Sequence, residues 1–80
     1  MIKLRDDIDL IDNQIIQLLD QRLELVKEIG IYKKERKIEV LDSKRERIII
    51  DKINSMDIKN KTQIIEIYLC MMKISKDMQR

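Results

Sequence analysis

Apolar residues recur along the first third of the chain at Leu4, Ile8, Ile11, Ile15, Leu18, Leu25 and Ile29. The steps alternate between four and three, the spacing of a helical seam of coiled-coil type. Nothing interrupts the pattern before Gly30, and "YKKERK" extends the expected helix by another turn. A helix of about 30 residues is about 45 Å long, more than a globule of this size covers by itself. An exposed seam of that length asks for a second copy of the chain.

"KIEVLD" is the first interruption. Ser43 followed by Glu46 matches a capping box, which predicts that a second, short helix starts there. Ile48, Ile49, Ile53 and Met56 supply its apolar face. "SMDIKNK" is the second interruption, with Asn60 as the expected cap of a third, medium helix. That helix is expected to turn Ile64, Ile65, Tyr68, Met71, Met72 and Met78 inward. The pattern predicts an all-α chain of one long, one short and one medium helix in a single domain over residues 1–80, with no internal repeat.

Composition supports this and removes alternatives. One Gly, no Pro, 40% charged and 44% apolar residues suit long amphipathic helices. A formal charge of +2 is too small to argue for nucleic acid or an anionic membrane, and the absence of Phe and Trp removes a base-stacking platform. With no His, the usual neutral-pH proton shuttle and the commonest metal ligand are missing. Cys70, within "IYLCMMKI", is expected to be a small core residue in a reducing compartment. No stretch has the length of a membrane span or the h-region of a signal peptide, so a cytoplasmic protein is expected.

Polar residues stand where the seams call for apolar ones. The step after Leu18 falls on Arg22, and a cation in an apolar stripe must find an anion or bear a desolvation cost of several kcal/mol. Lys33 lies eleven positions on, on the same face and about 16 Å along the axis. In the third helix the inner stripe runs through Ser75 to Gln79, a hydroxyl and an amide one turn apart. Asp42 and Glu46 extend the stripe of Ile49, Ile53 and Met56 toward the start of the second helix, with Arg45 beside them.

Each has an ordinary explanation taken singly. Arg22 fits a register device paired with an acid, Lys33 a solvated helix end, and Glu46 part of the capping box. Ser75 can bond its own backbone, Gln79 can fray, Arg5 can be a surface cation, and Asp42 with Arg45 can be a local ion pair. Taken together, all three helices place groups suited to carboxylate or hydroxyl recognition in line with an apolar stripe.

The stretches "LRDDIDLIDNQIIQLLDQRLELVKEIGIYK", "VLDSKRER" and "IIEIYLCMMKISKDMQ" resemble the AroQ-type, all-helical chorismate mutases over nearly the whole chain. The family's first-helix pattern is matched by Arg5, Asp12, Arg22, Gly30 and Lys33, its V-x-D-x-x-R-E segment by Val40, Asp42, Arg45 and Glu46, and its S-x-x-x-Q pair by Ser75 and Gln79. The link between the second and third helices is about three residues shorter than the family pattern, a difference expected to touch only a loop. Gln79 falls in the last turn, so its order is expected to depend on ligand or partner packing.

The resemblance implies an intertwined helical homodimer. It implies conversion of chorismate to prephenate, by intramolecular rearrangement, without cofactor or metal, on the route to Phe and Tyr. It assigns Arg5 and Arg22 to the substrate carboxylates with Ser75 assisting, and Lys33 and Gln79 to the ether oxygen. Glu46 accepts from the ring hydroxyl, while Asp42 and Arg45 shape that end of the pocket. Arg5 and Arg22 are seventeen positions apart, about 25 Å on a straight helix, so if both serve one site Arg5 must cross from the other chain. Two other readings stay open on the sequence: an isochorismate-pyruvate lyase on the same scaffold, and a dimerisation module without catalysis.

Overall fold

The computed structural model describes residues 1–80 as three helices and no strand: α1 (Ile2–Glu35), α2 (Ser43–Ser55) and α3 (Lys61–Gln79). α1 takes in most of "YKKERK" and ends in a Schellman motif. The Ile38 amide donates to the Lys33 carbonyl at 2.8 Å and the Lys37 amide to that of Lys34 at 3.3 Å. Lys37 takes the left-handed conformation this turn requires, with φ at 55°. The Arg36 guanidinium lies 3.7 Å from the centre of the Tyr32 ring, closing the same corner by a cation–π contact.

The cap of α2 differs from the expected capping box. Asp42, not Ser43, is the N-cap: its Oδ1 accepts from the Arg45 amide at 2.9 Å. Ser43 is already the first helical residue, so Glu46 lies one position beyond the place from which it would reach back to the Asp42 cap. Its carboxylate is left free for other work. Asn60 does occupy the N-cap position of α3, but its side chain makes no capping bond. Lys61 Nζ instead ties the helix start to the Asn54 carbonyl at the end of α2, at 2.8 Å.

α3 packs against both other helices, whereas α1 and α2 have no close backbone approach to each other. The small core lies along α3, where Val26, Ile53 and Met72 are 5–6% exposed. On α1 the side chains facing this core follow a stripe not picked out above, Leu19, Leu23, Val26 and Gly30, again in steps of four and three. The seam from Leu4 to Ile29 stays exposed on the single chain, as a seam that asks for a second copy should, its seven residues 46–65% exposed. The α2 interior is Ile49, Ile50 and Ile53, while Ile48 and Met56 are exposed. Of the six α3 residues expected inside, only Met78 is exposed. Cys70 is also exposed, a correction to its expected place in the core: it sits on the α3 face opposite Met72, beside Ile67 and Ile74.

The chain alone is elongated, 51 × 25 × 15 Å. Its radius of gyration of 15.3 Å compares with about 11.6 Å for a compact domain of 80 residues. It presents 7103 Å² of surface, where a compact monomer of its mass presents about 5,100 Å². Every residue from Met1 to Leu18 is exposed. No helix is long and apolar enough to cross a membrane.

Candidate active site

Since α1 and α2 make no close backbone approach, a cleft of about 450 Å³ opens between the C-terminal half of α1, the first turns of α2 and the last turns of α3. That is within the range of small-molecule sites. Its apolar lining comes from Leu25, Val26, Ile29, Val40, Ile49 and Met72. Seven of the eight expected site residues meet here: Arg22, Lys33, Asp42, Arg45, Glu46, Ser75 and Gln79. The eighth, Arg5, lies in a separate shallow hollow with Met1, Leu4, Ile8 and Asp9 on the exposed half of α1. Asp12 is exposed and outside the cleft.

Arg22 is half-buried, and its Nη1 donates to Ser75 Oγ at 2.7 Å. Ser75, 6% exposed, in turn donates its one proton to the Met71 carbonyl at 2.8 Å. The hydroxyl is therefore an acceptor toward Arg22 and has no proton left for a ligand. The serine bonds its own backbone and orients the arginine at once. Arg22 forms no ion pair with any carboxylate of its own chain. A half-buried guanidinium with only a neutral partner leaves most of its charge and donors to an incoming anion.

Lys33 Nζ donates to the Val40 carbonyl at 3.1 Å, so the ammonium is drawn over the cleft rather than out to solvent. The Schellman corner makes this possible by folding residues 38–40 back beneath the last turn of α1. Two of its three donors remain free. Asp42 and Arg45 form no side-chain ion pair; the carboxylate is engaged by the Arg45 backbone amide, and the Arg45 guanidinium has no acidic partner.

Glu46 pairs with Lys76, Oε1 to Nζ at 3.0 Å, across the gap between α2 and α3. Lys76 was not picked out from the sequence. It follows Met72 by one turn on the inner stripe, which was the available signal, but a lysine next to Ser75 reads as a surface residue. Gln79 closes the far end. Its Oε1 is buried without a partner, a position that draws a ligand donor, or a ligand acceptor once the amide turns over.

The wall holds four cations, Arg22, Lys33, Arg45 and Lys76, against the two carboxylates of Asp42 and Glu46. That leaves thirteen Lys and Arg against thirteen Asp and Glu elsewhere, so the chain's formal excess of +2 is gathered at this one cleft. An apolar floor, a doubly cationic wall and a single paired acid suit a small organic dianion that also carries a hydroxyl.

A family profile described as chorismate mutase type II matches residues 4–80. A solved structure described only as a conserved hypothetical protein from Pyrococcus furiosus is 40% identical to the chain, with a TM-score of 0.82. The match covers 96% of this chain and 91% of that one. No curated protein matches the chain.

Proposed function

Because the chain belongs to the chorismate mutase type II family, whose all-α plan it shares, we propose that it rearranges chorismate to prephenate. The proposed setting is the supply of Phe and Tyr, and the proposed unit is a homodimer. The observation that carries this reading is Arg22, a half-buried cation in an apolar wall whose only side-chain partner is a neutral hydroxyl.

In the reaction the ether C–O bond breaks as a C–C bond forms within the same molecule, with no proton or electron exchanged with the protein. The site then has two tasks. Arg22 and Arg5 of the partner subunit hold the two carboxylates, bringing the side arm over the ring and removing its rotational freedom beforehand. Lys33 and Gln79 donate to the ether oxygen, where negative charge grows as the bond lengthens, so that they favour the transition state over the ground state. Glu46 accepts from the ring hydroxyl, while Asp42 and Arg45 form the wall beside it. The reaction calls for no cofactor.

The dimer rests on the outward stripe of Leu4, Ile8, Ile11, Ile15 and Leu18 and on a surface excess of about 2,000 Å² over a compact monomer. That excess is the size of an obligate interface. A two-fold, antiparallel pairing of α1 with its copy covers the stripe and carries Arg5 of each chain toward the other's cleft.

Ultraviolet absorbance of chorismate, followed with and without purified protein, tests the reading. Catalysed loss of chorismate with prephenate as product is expected. If isochorismate is cleaved to pyruvate instead, the lyase activity is the correct one. If neither substrate reacts and chorismate does not raise the melting temperature, the helices serve only to dimerise.

A further inference from the structure

The chain has six ion pairs, and five of them are alike. They join residues four or fewer positions apart, and every partner in them is more than half exposed. Such pairs contribute little. The sixth, Lys76–Glu46, joins two different helices, and its side chains are only 28% and 29% exposed. Both residues line the cleft.

We infer that Lys76 is a positioning residue: it fixes the Glu46 carboxylate as the acceptor for the substrate's ring hydroxyl and so sets recognition of that end of the ligand. The inference rests on the reaction proposed above and adds a residue to it. Lys76 engages Oε1 of Glu46 at 3.0 Å, and Oε2 makes no bond within the chain. One oxygen is anchored and the other is left without a partner in the chain, on a side chain that lines the cleft. Freed from Lys76, the carboxylate sits one residue from Arg45 and in the same cleft as Arg22 and Lys33. Rotation toward any of these would neutralise a cation the dianion needs and withdraw the acceptor from the hydroxyl. The lysine thus keeps the Glu46 carboxylate away from the carboxylate-binding end. A direct grip by Lys76 on a substrate carboxylate is the competing role, and it predicts different kinetics.

Steady-state kinetics separate the two. The variants are Lys76→Met, which keeps the stem and removes the charge, Lys76→Arg, Glu46→Gln and the Lys76→Met/Glu46→Gln double. The substrates are chorismate and an analogue with hydrogen in place of the ring hydroxyl. Lys76→Met is expected to lower kcat/KM for chorismate by about tenfold and to leave the analogue nearly unchanged, so that the preference for the hydroxyl collapses. Lys76→Arg is expected to retain the preference. The double variant is expected to be no worse than Glu46→Gln alone, since the lysine acts through the glutamate. Equal losses on both substrates, or no loss on chorismate, overturn the inference while leaving the mutase reading intact. A wild-type protein that turns over neither substrate overturns the mutase reading itself, and the inference with it.

Discussion

A Cβ added at Gly30 would lie 3.2 Å from the Cα of Gln79, with two further Gln79 carbons at 3.4 and 3.5 Å. The buried glycine of α1 is thus the seat of the last turn of α3, and it sets how far the Gln79 amide reaches into the cleft. Gly30→Ala pits two effects against each other. Alanine favours the helix by about 1 kcal/mol, whereas overpacking against backbone costs about 1–3 kcal/mol unless α3 gives way. The last turn of α3 is the part with least holding it, so it is expected to shift. The expected outcome is a fall in kcat of about tenfold, from a misplaced donor, with far less change in thermal stability. Turnover and melting temperature measured on the same preparation check it.

Lys33 has two partners in view: the Val40 carbonyl now, and the ether oxygen of the proposed substrate. Lys33→Ala is expected to reduce kcat by about 100-fold, as losing one preorganised donor costs about 3 kcal/mol. Helicity by circular dichroism should be unchanged, because the Schellman corner is made by backbone groups. A Lys33→Ala protein with near-native turnover would end the assignment of this residue.

The helices and their junctions were legible because periodicity is strong and the chain offers few turn residues outside two short stretches. Arg22, Lys33, Ser75 and Gln79 were legible for the same reason: a polar residue in an apolar stripe stands out. What could not be read is which stripe of α1 faces its own chain. Leu19, Leu23, Val26 and Gly30 share the spacing of the Leu4–Ile29 seam, whose length marked it as exposed, and period alone does not single out this second stripe as the one packed on the core. Cys70 was misplaced for a related reason, since α3 is apolar on the face away from Met72 as well as on the face that packs. Asp42 and Ser43 are adjacent and equally good caps, so the shift by one residue that frees Glu46 for Lys76 had no sequence signature.

Lys37 is the one non-glycine residue with positive φ, 55°, at the left-handed position of the Schellman turn that ends α1. A lysine held there costs about 1–2 kcal/mol, and glycine removes that strain while giving back about 0.5–1 kcal/mol in unfolded-state entropy. Lys37→Gly is therefore expected to stabilise the protein, raising the melting temperature by about 4 °C. Comparison at one fixed protein concentration is needed if the folded unit is a dimer. Lys37→Val, which cannot adopt this φ without greater strain, should move the midpoint the other way.

Arg5 lies outside its own chain's cleft, in a hollow near the N-terminus of α1, so its proposed role requires a second chain. Arg5→Ala and Lys33→Ala proteins are each expected to be nearly inactive, for different reasons. Unfolded together and refolded, half of the resulting dimers are mixed. In a mixed dimer one cleft has both its Lys33 and the crossing Arg5, and the other has neither. One intact cleft in half the dimers amounts to about a quarter of wild-type activity. Recovery near that level, absent when the two proteins are mixed without unfolding, is the expected result. No recovery would mean that each cleft is built from one chain alone, and Arg5 would revert to an ordinary surface cation.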